Sequence, residues 1–232
     1  IGVSEHITGI FMALGVISIM AGVLLAIGQW DLKRLLAYHS ISQIGYVMLG
    51  IGLATPLGIL GGLFHLFNHS IFKSLLFLNS GAIEYSTGTR DLKQMGGLSA
   101  RMPVTSNTSL IASMSIAGIP PFNGFWSKLL IIMAALKAGQ PGYAFWAVIG
   151  SILTLASFTK VQKYACYDEA QNPHKQVKEV PVFMKMSMIG LALICIFGGL
   201  LLLPALKWFV KDAEGILTAG REYAGVILGS EK

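Results

Sequence analysis

The amino-acid sequence predicts an all-α protein, a polytopic transmembrane helix bundle of about six spans with one discontinuous helix near Pro120-Pro121. Three observations predict it. Hydrophobic residues are 54% of the 232 and charged residues 12%, with a mean hydropathy of +0.67, against about 45–50% apolar and about 25% charged in soluble domains. Several windows reach the roughly 20 apolar residues with which a helix crosses a hydrocarbon core of about 30 Å. The adjacent prolines Pro120 and Pro121 interrupt one of these windows. The balance excludes a water-soluble chain. The formal charge of +6 sits on connecting segments, where it suits anionic lipid headgroups. No basic stripe interleaved with aromatics appears, so the expected surroundings are a lipid bilayer and no nucleic acid.

The first apolar stretch, 7–28, is rich in Gly, Ala and Met and ends in Gln29-Trp30-Asp31-Leu32-Lys33-Arg34, an interfacial aromatic followed by charge. A second span covers 36–54 and closes on Thr55-Pro56; the third, 57–83, is long enough to cross with tilt. A polar connection, 84–102, follows. The stretch 103–139 is too long for one straight crossing, while each half around Ile119-Pro120-Pro121 is shorter than a crossing prefers. Two prolines remove two backbone donors and disfavour helix before them, so one broken crossing is expected. A fifth span runs over 142–165 and a sixth over 181–209; the tail after Lys211 is amphipathic and expected to be interfacial. The chain opens at Ile1 rather than Met and lacks the positive n-region and cleavage site of a signal peptide, so an upstream portion of a longer polypeptide is expected.

Charge bias supports six crossings over seven. With six, Lys33, Arg34, Arg90, Lys93, Arg101, Lys160, Lys163, Lys175, Lys178 and Lys185 share one side, opposed among internal loops by Lys137. Seven crossings would divide them almost evenly. The tail cations Lys207, Lys211, Arg221 and Lys232 fall on the opposite side in the six-span arrangement.

Two lysines fall inside the apolar windows: Lys73 in the third span and Lys128 after the double proline. A charged residue there costs about 2.5–3.5 kcal/mol on insertion scales and marks an ion pathway by default. His65, His69 and Lys73 stand at i, i+4 and i+8, so they line one stripe of a helix and could pass protons along it. The structural alternative is that the histidines bond neighbouring helices while Lys73 reaches toward an interface. His65 and His69 have metal-ligand spacing, but the Glu of a His-Glu-x-x-His helix is missing and no third ligand is evident, so no metal is expected. Lys128 follows Gly118-Ile119-Pro120-Pro121-Phe122-Asn123-Gly124, where an unwound stretch meets a new half-helix. Broken helices at membrane depth are tolerated where they line a wet cavity or lie buried in protein. Burial and the positive end of the new half-helix both disfavour the ammonium form, which suits a switchable proton carrier; the alternative is a lysine snorkelling from a helix end. Cys166 and Cys195 have no partner spacing and read as packing residues.

At these residues the sequence resembles the antiporter-like membrane subunits shared by respiratory complex I, Mrp-type sodium/proton antiporters and energy-converting membrane-bound hydrogenases. The matching runs are Asp31-Leu32-Lys33-Arg34-Leu35-Leu36-Ala37-Tyr38-His39-Ser40-Ile41-Ser42-Gln43-Ile44-Gly45-Tyr46, the segment 65–78 with its Phe72-Lys73, Asp91-Leu92-Lys93-Gln94-Met95-Gly96-Gly97-Leu98, and the segment 118–128. The run from Phe122 to Leu129 is most like the hydrogenase-type members. The resemblance implies that 1–180 is the second of two inverted five-helix repeats, that 181–232 adds a further transmembrane helix and the interfacial tail, and that Lys128 is the key lysine of the broken helix. It also implies that His65, His69 and Lys73 belong to the repeat's central polar axis. His39 stands where the family more often has a small hydroxyl residue, and either adds a titratable group or faces the headgroups.

The function expected from this resemblance is proton or Na+ translocation within a multi-subunit energy-converting complex in the cell (inner) membrane. The paired glutamate and lysine of the family's first repeat are missing, so a partner subunit carrying that repeat is expected among the other membrane subunits. No flavin, iron–sulfur or quinone site is evident; no cofactor is expected, and redox chemistry would belong to partners. The competing readings are a structural spacer without its own ion path, which predicts dispensable lysines, and a stand-alone secondary transporter, which predicts activity in the single chain.

Overall fold

In the computed structural model, which describes residues 5–169 and 177–199, the apolar stretches are helical and no strand forms among the described residues. α1 (Glu5–Ile27) leads through the link 28–31 into α2 (Leu32–Gly52). Asp31 sets that start, its carboxylate accepting from the Arg34 N–H at 2.9 Å, so the helix begins before the apolar run at 36. α3 (Pro56–Thr87) opens on Thr55, whose Oγ1 accepts from the Gly58 N–H at 3.1 Å, with Pro56 in the first turn, where its missing donor costs nothing. It outlasts the expected span by a turn at its far end. A 3₁₀ turn (Leu92–Gln94) and the short α4 (Leu98–Arg101) lead to α5 (Pro103–Ala117) and α6 (Asn123–Lys137). α7 (Pro141–Val161) continues as a π-helical turn (Gln162–Tyr167), and α8 (Val182–Phe197) closes the described chain. The remainder of the expected sixth span and the amphipathic tail lie outside the described residues.

The double proline breaks the helix as its chemistry requires. α5 ends on Gly118 with φ 80°, a left-handed conformation that a side chain resists, and the Pro120-Pro121 peptide is cis. α5 and α6 then make one pass along α3. Going toward the N-terminus of α3, Asn79 Oδ1 accepts from Thr108 Oγ1 (2.8 Å), Asn68 and Asn123 are mutually bonded (3.1 and 3.2 Å), His65 Nδ1 meets Ser127 Oγ (2.9 Å), and Gly61 lies against Ile131. That ordered series is a single discontinuous helix beside a continuous one, not a hairpin. At the break the half-helices overlap side by side: a Cβ on Gly124 would collide with the Ser115 carbonyl.

Elsewhere small residues bring helices together, as apolar packing in lipid favours. A Cβ on Gly15 of α1 would stand 2.8 Å from the Leu49 N and 2.9 Å from the Gly45 O of α2. Large apolar side chains such as Ile10, Ile17, Phe145 and Ile152 face outward.

The interior is layered. One apolar cluster holds Leu35, Leu36, Phe72, Leu75, Leu92, Phe158 and Ala165. A second holds Met12, Ile19, Leu49, Ile131, Ala135 and Ala144. Between them four helices contribute buried polar groups: His39, Ser42 and Gln43 from α2, His65 and Asn68 from α3, Asn123, Ser127 and Lys128 from α6, Thr154 and Ser157 from α7.

Beyond the first cluster lies a charged end. The Leu32 N–H donates to the Arg90 carbonyl and the Leu92 N–H to the Trp30 carbonyl (2.9 Å each), Lys33 pairs with Glu84 (2.6 Å), and Arg90 reaches Asp31 and Glu84 (3.6 Å each). The Trp30 ring is contacted by Lys93 and Lys160, at 4.6 and 4.9 Å from its centroid. Lys160 Nζ also donates to the Ile27 and Gln29 carbonyls, 2.6 Å each, capping α1. The link after α1, the segment after α3 and the end of α7 thus share one end of the bundle. Cysteines replacing Arg34 and Lys163 should therefore be labelled by an impermeant thiol reagent from the same membrane face. Labelling from opposite faces would overturn this arrangement.

Candidate functional site

Lys128 occupies the second turn of α6 and is 3% exposed. Its Nζ donates to the Ile116 carbonyl at 2.8 Å and lies 4.5 Å from the centre of the Tyr46 ring. Ile116 is in the last turn of α5, where helix carbonyls have no partner of their own. The expectation had the positive end of α6 acting on this amine. The structure differs: the side chain runs back past Gly118 to the C-terminal end of α5, so the ammonium meets the negative end of a helix dipole. The reason is the side-by-side overlap at Gly124, which puts the α5 terminus within a lysine's length.

Lys73 is buried as well, 7% exposed, and donates to the Leu36 carbonyl of α2, with the Phe77 ring 5.2 Å from its Nζ. It does not extend to an interface. Among the described residues, neither Lys73 nor Lys128 forms an ion pair; the three pairs present lie at the charged end. Two buried cations held by carbonyl oxygens and ring faces are costly as packing, since a buried charge is normally paired.

The other stripe residues diverge. His65, fully buried, bonds Ser127 through Nδ1, and its ring lies 5.4 Å from that of Tyr46. Its Nε2 has no protein partner. His69 is only partly buried, makes a ring contact with Phe72 (5.5 Å) and has an unpartnered Nε2. So the i, i+4, i+8 register places three side chains on one face of α3, but His65 turns to α6 and Lys73 to α2. His39 faces the interior rather than the headgroups: it is 0% exposed, and its Nε2 meets Ser157 Oγ of α7 at 2.9 Å.

The residues not assigned from sequence lie mainly on α2, beside the already noted His39. His39, Gln43 and Tyr46, spaced i, i+4 and i+7, form one buried face. Tyr46 donates to the Ala147 carbonyl (2.6 Å) and meets Ser151 Oγ (3.0 Å), while both side-chain polar atoms of Gln43 and the Ser42 hydroxyl have no protein partner. This face leads from Leu36, which holds Lys73, to Tyr46, which holds Lys128. Such orphaned groups are exceptional in folded interiors and suit ordered water. A cavity of about 210 Å³ between α6 and α7 also reaches Lys128, lined by Gly118, Phe125, Ile132 and Ser151 with the exposed Ile152 at its rim. Among the described residues no group of His, Cys, Asp and Glu could hold a metal ion. Pro120, Pro121 and Gly124 serve the break itself.

A helix bundle with apolar flanks, a polar middle layer and a buried lysine on a broken helix defines a polytopic membrane protein with a discontinuous helix. Residues 1–154 match the family described as NADH:quinone oxidoreductase/Mrp antiporter, TM, and the chain belongs to that family. It is 36% identical over 208 residues to a Na(+)/H(+) antiporter subunit of Alkalihalophilus pseudofirmus, covering 90% of this chain and 42% of the relative. It is 34% identical over 221 residues to formate hydrogenlyase subunit 3 of Escherichia coli, covering 84% and 36%. A chain in the structure of the Mrp complex from Dietzia superposes with a TM-score of 0.81 at 29% identity, covering 90% of this chain and 46% of that one. The chain thus spans less than half the length of these relatives. The polytopic transmembrane bundle with a discontinuous helix and the antiporter-like family expected from the sequence are both borne out.

Proposed function

We propose that this chain translocates protons as part of a multi-subunit energy-converting complex of the Mrp, hydrogenase or complex I kind in the cell (inner) membrane, with Lys128 as the switching carrier. The observation that carries this reading is Lys128 itself: a buried lysine on a broken helix, its Nζ held by one backbone carbonyl and one aromatic face. A lysine without a carboxylate partner can lose its proton without stranding a buried anion. His65, through Ser127 and the Tyr46 ring, is in the same cluster; the α2 face continues to Lys73. His69 is half-buried, and its buried Nε2 is left without a protein partner. Residues 1–180 act as one five-helix repeat and 181–232 as an added helix and tail, the first repeat coming from another membrane subunit. Family membership and the three-way likeness to such complexes support this.

The test uses the assembled complex in sealed native-membrane vesicles, energised by its own turnover in sodium-free medium. His65→Ala should lower proton uptake by about 100-fold, the lower end of the range for loss of a positioned proton-transfer group, with the amount of complex unchanged. Uptake equal to the parent would count against a proton path through this cluster. Uptake that appears only on adding sodium would assign Na+ as the cargo.

A further inference from the structure

The link 118–122 that breaks the helix also leaves α7 partly uncovered. Val148, Ser151, Ile152 and Leu155 stand at i, i+3, i+4 and i+7 on α7, so they share one face, and that face is one wall of the cavity that reaches Lys128. Gly118, at the start of the link, supplies no side chain to the opposite wall. The Lys128 stem takes up part of that room, since a Cβ on Gly118 would stand 3.0 Å from its Cδ. Val148 and Ile152 are exposed, and they lie in the middle of α7, where the outward surface is apolar. The cavity therefore opens sideways, at the depth of the polar layer, onto the hydrocarbon that surrounds a transmembrane bundle.

Two properties of this space select an occupant. The first is its size and lining: about 210 Å³ exceeds the ~150 Å³ apolar cavity that accepts benzene, so it holds roughly eight carbons of a chain. Apart from Lys128 and Ser151 its lining side chains carry no polar atom, and Ser151 Oγ is already engaged by the Tyr46 hydroxyl. Water, which typically needs two to four polar partners when buried, is poorly served here. The second property is charge. An ammonium has three N–H donors, of which the Ile116 carbonyl takes one, and among the described residues no carboxylate pairs with Lys128.

We propose that the cavity binds the head end of a long-chain carboxylic acid from the bilayer, its carboxylate pairing with Lys128 and holding that residue as the ammonium. The binding stands whichever ion the chain moves; the consequence, that the acid stops transport, rests on Lys128 being a proton carrier. The acid travels through hydrocarbon as the neutral carboxyl. On meeting the neutral amine it gives up its proton, and the carboxylate and ammonium that result carry no net charge together. Such a buried pair persists because removing either charge leaves the other unpaired. The chain behind the carboxylate lies along the apolar walls and leaves past Ile152 into the lipid. A phospholipid chain fills the same walls but brings no acid to the lysine. Lacking a carboxylate of its own, Lys128 is free to lose its proton, and for the same reason its position is open to a carboxylate from outside.

The test has two arms, both in the assembled complex in sealed native-membrane vesicles stripped of free fatty acid with albumin. Hexadecanoic acid carrying a diazirine on its sixth carbon, and the methyl ester of the same compound, are photolysed with the complex and the labelled residues located by mass spectrometry. The acid should label the wall residues Gly118 and Leu129 saturably and about tenfold or more above the ester, the range for a charged hydrogen bond. Ile152→Trp, which blocks the rim, should remove that label. Equal labelling by acid and ester, or no saturable label at these positions, would overturn the site. In the second arm unmodified hexadecanoic acid should lower proton uptake severalfold more in the parent than in Ile152→Trp, each relative to its own rate without acid. The acid also carries protons through lipid, equally in both preparations, so the difference between them reads the cavity. Equal sensitivity of the two would overturn the locking of Lys128. Normal uptake in Lys128→Ala without acid would instead remove the carrier reading and leave the labelling result standing. If Ile152→Trp lowers the amount of complex, Val148→Phe takes its place.

Discussion

Lys128→Arg should assemble and pump almost nothing. The guanidinium keeps the positive charge and can still donate to the Ile116 carbonyl and lie over Tyr46, so the half-helices stay joined. It cannot become neutral: with a pKa above about 12, fewer than about one arginine in 10⁵ has lost its proton at pH 7. A carrier that must alternate between ammonium and amine is therefore stopped in one state. Lys128→Ala should be inactive too, for the different reason that the proton has nowhere to sit. A fixed structural charge predicts the reverse ranking, with arginine close to the parent and alanine poor. Proton uptake by vesicles with the amount of assembled complex measured separately distinguishes the two, and near-normal pumping by the arginine variant would refute the switching lysine.

Gly124→Ala is expected to prevent normal accumulation of the chain. The added methyl would overlap the Ser115 carbonyl, which is backbone in the last turn of α5 and cannot rotate away. Overpacking of this kind costs about 1–3 kcal/mol, and relief here means separating the half-helices that bring Lys128 to Ile116. Gly142→Ala is the matched control, since nothing lies within 4 Å of the position its Cβ would take. Detergent-extracted complex should contain far less of the first variant than of the second. Equal amounts would show that the overlap at the break is not what holds α5 and α6 together.

The break at Pro120-Pro121 could be read from sequence because it depends on two residues that lack a backbone donor, a local property. The helix starts at Thr55-Pro56 and Pro103 are of the same kind, each local to one capping group or proline, whereas Asp31 caps a start four residues before the expected one. The direction of Lys128 could not be read, because it depends on how far the half-helices overlap, and that is set by the contact of Gly124 with Ser115. The α2 face was hidden for another reason. Gln43 and Tyr46 sit in an ordinary-looking span, and the partners that give this face its meaning, Ser157 for His39 and Ser151 for Tyr46, lie 118 and 105 positions away. Glu179 is likewise invisible as a cap for α5 until the chain returns 74 positions later to place it over Thr105. The α3 stripe shows the limit of periodicity: it gave the face shared by His65, His69 and Lys73 but not which neighbour each side chain would choose.

The two apolar clusters that enclose the polar layer act as gaskets. One, around Phe72 and Phe158, stands between the layer and the charged end; the other, around Ile19, Leu49 and Ile131, stands between the layer and the opposite end. A pump whose interior touched both aqueous compartments at once would short-circuit the gradient it builds. Under the proposed proton-carrying function, insulation would be intrinsic to the fold, supplied mainly by apolar side chains, with traffic confined to the places where polar groups pierce a gasket. Widening either gasket with a hydroxyl would therefore damage coupling before it damaged the helices.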